Sequence, residues 1–202
     1  QTWGHNDPAR GVMIDNVTIY ATTEEFEFFS DDFGYADKAE MKAAGWTLDW
    51  AADTDASYLK DGAFYLGITT GDDNNAARIY RSYPAQKSGN WTAEFDIIPD
   101  SNIETVVKAT NAAELLIFNR NNGITVNATE KTMEMKYVDG RTYRCKVSYD
   151  LDSDVMAAIV TDTVTGESEG VKLTKTNNPP AEINNIIFQM WNTQDMATQP
   201  PA

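Results

Sequence analysis

Two short stretches place flat aromatic rings beside hydrogen-bonding groups at alternate positions. In ARIYRSYP, a period of two puts Arg78, Tyr80 and Ser82 on one strand face and Ile79, Arg81 and Tyr83 on the other. In NIIFQMW, Ile187, Gln189 and Trp191 fall together, opposite the more apolar Ile186, Phe188 and Met190. An exposed indole or phenol stacks on the C–H faces of a sugar ring, while guanidinium and amide groups bond its hydroxyls, so this is the chemistry these faces offer. Asn119, Arg120 and Trp50 are weaker additions to the same set. Most of the five Trp and nine Tyr must be core, Trp46, Trp91 and Tyr143 among them, because they sit inside strong apolar alternation.

Other chemistries are poorly supplied. The single cysteine, Cys145, lies in the alternating stretch RTYRCKVSY and is expected to be a packed core thiol, with no disulfide partner. The single histidine, His5, sits in the polar leader QTWGHNDPARG, so a nucleophile oriented by an imidazole and a zinc cage of clustered His and Cys are both remote. Sixteen basic against thirty-one acidic residues give a formal charge of -15, which opposes nucleic acid and anionic membrane as partners. No apolar run approaches the ~20 residues that span a bilayer.

The elements that must position these residues are strands. Alternation broken by Gly, Asn, Asp and Pro clusters predicts strands at 12–20, 63–69, 77–83, 90–98, 104–109, 113–119, 123–128, 131–138, 141–149, 155–162, 170–174 and 184–191. Turns are expected at DGA (61–63), GDDNN (71–75), NRNNG (119–123), VDGR (138–141) and VTGE (164–167). One short surface helix is expected at 37–44, capped by Asp37 and ended by Gly45. The fold class is therefore all-β, an antiparallel sandwich in one unit over 1–202: a leader with its strand at 1–22, a body at 23–192 and a tail at 193–202. The chain opens on Gln1 without an initiator Met, and we read it as a processed or excised piece of an exported protein.

Three stretches carry a family resemblance: FFSDDFGYADKAEMKAAGW (28–46), YLKDGAFYLGIT (58–69) and YRCKVSYDLDSDVMAAIVTDTVTGE (143–167). They resemble the opening strand, helix and Trp, the Asp-Gly hairpin and the long hairpin of concanavalin A-like, LamG-type jelly rolls, found as carbohydrate-binding modules of secreted bacterial proteins. The order is unusual, because GVMIDNVTIYA (11–21) looks like the closing strand of such a domain yet comes first. It is expected to complete its own domain beside the last strand, as a circular permutation, or else to be the tail of a preceding repeat or to complete a neighbouring copy in an adhesive or filament-forming repeat.

The resemblance implies non-catalytic binding of a polysaccharide or cell-surface glycan, outside the cell, without membrane insertion. Some hydrolases on this fold carry Glu-x-Asp followed by a second Glu; here Glu94 and Asp96 match, but Ile98 or Pro99 stands where the acid belongs, so a hydrolase or lyase ranks third. The resemblance also implies a structural calcium ion held by Asp32 with Asp15 or Asn16.

Overall fold

The computed structural model describes residues 10–21, 26–68, 76–110, 113–127, 130–176 and 179–191. His5, the GDDNN turn and the tail at 193–202 lie outside them. The described strands are β1 (Arg10–Ala21), β2 (Phe26–Asp31), β3 (Trp46–Trp50), β4 (Tyr58–Lys60), β5 (Ala63–Ile68), β6 (Ala76–Gln86), β7 (Asn90–Ile98) and β8 (Glu104–Lys108). They continue with β9 (Glu114–Phe118), β10 (Gly123–Val126), β11 (Lys131–Lys136), β12 (Tyr143–Asp150), β13 (Val155–Asp162), β14 (Ser168–Leu173) and β15 (Ile183–Trp191). Each strand expected from alternation is present, and every pairing is antiparallel.

The strands form two sheets. One runs β14-β13-β12-β7-β1-β5-β4, with β2 also paired to β1; the other runs β11-β10-β9-β8-β15-β6-β3. Their inner faces share one core, in which Val12, Ile14, Phe64 and Phe95 of the first sheet meet Ile79 and Phe188 of the second. The Phe95 and Phe188 rings meet edge to face at 5.2 Å. Trp46, Trp91 and Tyr143 are buried as expected, and so is Cys145, whose thiol pKa burial pushes well up. A buried, protonated thiol is inert.

Local chemistry explains the connections. Asp61 and Gly62 both take positive φ, 53° and 76°, the two-residue turn that matches strand twist in the β4–β5 hairpin. The one α-helix, α1 (Lys38–Ala43), starts where the Asp37 carboxylate accepts from Glu40 N at 2.9 Å, and it buries Met41. Among the described residues no helix is long and apolar enough to cross a membrane.

The first strand does not lie beside the last. β1 is central in the eight-stranded sheet, pairing β7 on one edge and β5 then β2 on the other, while β15 is central in the opposite sheet. Both edges of β1 are thus occupied by its own chain. A register shift between Asp15 and Thr18, with Asn16 at φ 51°, marks a bulge that lets one strand serve both β5 and β2.

One polar group ties the layers together. Asp31, at the end of β2, is buried, and its carboxylate accepts from Phe33 N (2.9 Å), Trp46 Nε1 (2.8 Å), Arg81 Nη1 (2.7 Å) and the Tyr35 hydroxyl. Trp46 and Arg81 belong to the other sheet, and the Arg81 guanidinium also covers the Phe29 ring at 4.2 Å. Asp31→Ala is therefore expected to destabilise the fold by about 3–5 kcal/mol, since it strands a partly buried guanidinium. Urea unfolding measures it; a loss below ~1 kcal/mol, the scale of an exposed ion pair, would contradict this role.

Candidate functional site

The outward face of the seven-stranded sheet is organised in transverse rows by strand register. One row runs Asp49, Arg78, Gln189, Val106 and Ile117 across β3, β6, β15, β8 and β9. The next runs Thr47, Tyr80, Ile187, Lys108 and Glu114. On the other side of the first row, Trp191 of β15 stands opposite Glu104 of β8. The inner faces of the same strands hold the core, so these rows are what the sheet presents outward.

Trp50 joins them by breaking the alternation. Trp46 and Leu48 point inward, so the period of two would bury Trp50 as well. Instead its backbone takes φ 57° and ψ -132° as the chain enters a 3-10 turn at Ala51–Asp53, and the indole is 42% exposed. That conformation is one that glycine alone adopts freely, and it costs a side-chain-bearing residue of order 1–3 kcal/mol. The ring comes to rest 6.0 Å from Trp191, which is 40% exposed, with the two planes inclined at 45°. The Arg78 guanidinium lies 4.6 Å from the centre of the Trp50 ring and 5.3 Å from that of Tyr80. Arg78 Nε also donates to Asp49 at 2.9 Å, and its Nη2 donates to the same oxygen.

Of the residues singled out from sequence, the structure brings Trp50, Arg78, Tyr80, Gln189 and Trp191 together. Gln189 is nearly buried, in the floor of the face and not at its rim. Arg120 borders the same face, close enough to Glu104 to influence its ionisation. Asn119 is engaged in its own turn, where its Oδ1 accepts from Asn121 N (3.2 Å) and Gly123 N (3.1 Å). Asp49, Glu104, Lys108 and Glu114 belong to the face but were not singled out. A pairing of β3 and β8 with their neighbours was needed to find them.

Asp15, Asn16 and Asp32 lie on the opposite side of the molecule's layering, by the bulge in β1. Asn16 N donates to Asp15 Oδ1 (2.7 Å), and Asn16 Nδ2 donates to both Asp15 and Asp96 at 3.1 Å. Asp96 also takes two bonds from Arg144, both 2.9 Å, and Asp32 Oδ1 accepts from Gly34 N (3.1 Å). Burial raises the Asp15 pKa, the Asn16 amide opposes this, and repulsion from Asp96 and Asp32 adds to it. Among the described residues no group of three or more His, Cys, Asp or Glu side chains is placed to hold a metal ion.

Glu94 and Asp96 face outward on the eight-stranded sheet. Glu94 accepts from the Tyr20 hydroxyl (2.7 Å) and meets Lys146 Nζ at 2.7 Å, and these contacts lower its pKa, Lys146 first. Both carboxylates are thereby committed to ion pairs as members of a polar strand face.

No sequence-family profile and no curated protein sequence matches the chain. Among solved structures, one chain described as a sialidase superposes with TM-score 0.59 at 18% identity, over 79% of this chain but 14% of that one. The basic winged bean lectin with Tn-antigen superposes with TM-score 0.52 at 11% identity, over 77% of this chain and 86% of the lectin. The fold is a concanavalin A-like jelly-roll sandwich. In this jelly roll the rows described above occupy the outward face of one sheet.

Glu104 gives that face a measurable signature. Burial raises its carboxyl pKa above the ordinary glutamate value; repulsion from Glu114 adds to the shift and Arg120 reduces it. An acid whose pKa is higher folded than unfolded favours the fold while protonated, and that advantage is lost as pH rises through the raised value. Glu104→Gln is therefore expected to raise the melting temperature at pH 7 and to leave it nearly unchanged at pH 4. Scanning calorimetry at the two pH values checks this; equal shifts at both would sink it.

Proposed function

We propose that this chain binds a polysaccharide or cell-surface glycan on the outward face of its seven-stranded sheet, without cleaving it. The observation that carries the reading is Trp50, held in a glycine-like backbone conformation that turns its ring out beside Trp191 instead of into the core. Strain of this kind persists where the surroundings impose it, and it clusters at sites that bind or react. Around the two rings, Arg78, Asp49, Tyr80, Gln189 and Glu104 supply the donors and acceptors that sugar hydroxyls require. The lectin that superposes is described with Tn-antigen, a likeness of fold that is in keeping with this reading. Glycans of this kind lie outside the cell, and we place the chain there.

Trp50→Gly separates function from folding. The substitution removes the ring and the backbone strain together, so stability is expected to change by no more than about 1 kcal/mol. Glycan affinity is expected to fall roughly tenfold or more, as for Trp191→Ala. Isothermal titration beside thermal melts measures both, and an assay for reducing ends is expected to show no bond cleavage. Full binding by Trp50→Gly would refute the assignment of this face.

We propose separately that calcium binds by the bulge of β1. Asp15 and Asp32 would supply the carboxylates, repulsion from Asp32 on the Asp15 carboxyl is what a cation would relieve, and binding would require the Asn16 amide to turn its oxygen toward the ion. Calcium is then expected to raise the melting temperature over that in chelator, and Asp15→Asn to abolish the rise. A melt that calcium leaves unchanged would rule the ion out.

A further inference from the structure

We infer that the face takes a single, uncharged glycan chain, in preference to an acidic polysaccharide or the surface of a crystalline one; this rests on the glycan-binding reading above. Arg78 and Lys108, the cations that β6 and β8 carry outward, each have a carboxylate beside them. Arg78 directs Nε and Nη2 to Asp49, Lys108 Nζ lies 3.4 Å from Glu114 with 14% of its side chain exposed, and Arg120 stands near Glu104. Recognition of a uronate or sulfate group needs a guanidinium fork or an ammonium with donors to spare, and here an anionic ligand would have to displace a resident carboxylate. The formal charge of -15 over the whole chain adds a long-range repulsion against any polyanion. Uncharged hydroxyls meet no such barrier, since each neutralised pair still offers an acceptor lone pair or an N–H to a neutral donor or acceptor.

The rings set the physical form of the ligand. Trp50 and Trp191 are inclined at 45° with centroids 6.0 Å apart, so a flat surface that lies on one cannot lie on the other. A lone chain turns about each glycosidic bond and can offer one sugar face to each ring. Four adjacent strands, β3, β6, β15 and β8, give this face a width of roughly 14 Å, set by strand spacing. A short run of sugars lying across the strands, from the Trp pair toward Glu104, matches that length.

Native affinity electrophoresis of the whole chain tests the inference with matched ligands: dextran against dextran sulfate, a soluble β-glucan and a mannan against polygalacturonate, and sedimentation with microcrystalline cellulose. The Trp50→Gly variant serves as the reference for non-specific retardation. The expected result is retardation by at least one neutral soluble glycan, about tenfold stronger than by any acidic or crystalline one. Comparable or stronger retention by an acidic or crystalline ligand overturns the inference and leaves the glycan-binding reading standing; no retention by any of them overturns both. Asp49→Ser frees the Arg78 guanidinium, and it is expected to gain retardation by polygalacturonate. A variant that gains none overturns the role of the resident carboxylates in excluding acidic chains.

Discussion

The buried carboxylate of Asp31 constrains the whole arrangement, because it is a β2 residue of one sheet whose partners Trp46 and Arg81 open β3 and line β6 in the other. Hydrophobic packing between two sheets is non-directional and would tolerate sliding. A carboxylate shared by an indole N–H, a guanidinium, a phenol and a backbone N–H does not, since each bond has its own required direction. The strands it fixes, β3 and β6, are those that carry Asp49, Trp50, Arg78 and Tyr80 on their outward side. The site is therefore positioned from beneath, through the core, by residues that face the other way on the same strands.

Fixing the strands still leaves the side chains to be held. Arg78 does this for the aromatic residues, lying against Trp50 and near Tyr80 while Asp49 fixes its own orientation. Cation–π contact adds about 0.5–2 kcal/mol depending on solvation, comparable to the strain at Trp50. The two are of the same order, so the exposed ring is held by contacts on the face itself and the cost is met locally. A site ordered before its ligand arrives loses less entropy on binding, which is where weak stacking contacts gain useful affinity.

Much of this was legible in the sequence, and the legible part follows from the period of two. Alternation put Arg78 with Tyr80 and Gln189 with Trp191, and the sheet then laid the two pairs side by side with Gln189 opposite Arg78. Trp50 was the weakest of the aromatic candidates because its exposure depends on a backbone conformation that no residue pattern announces. Asp49 and Glu104 read as ordinary strand polar residues, and only the β3–β6 and β8–β15 registers make them neighbours of the rings. Asn119 was one of the weaker additions, and the turn it begins uses its side chain to bond two backbone N–H groups. The place of β1 was hidden for a similar reason: strand pairing over long separations is set by the whole sheet and not by the strand's own residues.

Comparison of the two outer faces gives a reason for preferring one of them. On the eight-stranded sheet, Glu94 is held by Lys146 and Tyr20, and Asp96 by Arg144 and Asn16, so its polar groups are tied to one another across strands. Its aromatic pair, Tyr58 and Tyr65, stack on each other at 4.7 Å. Tyr65 lies across Gly11, where a Cβ would come within 2.4 Å of its ring, and beside Gly67, where the Ala56 carbonyl oxygen at 2.1 Å is the nearer obstacle and the ring follows at 2.7 Å. One face of that ring is thus spent on the sheet's own backbone and the other on a neighbouring ring. The seven-stranded sheet does the reverse: it places Val106, Ile117 and Ile187 as a buried floor outside the main core and raises two part-exposed indoles beside it. The eight-stranded sheet exposes single apolar side chains such as Ile159, which any surface does, whereas two indoles brought side by side form one contiguous platform.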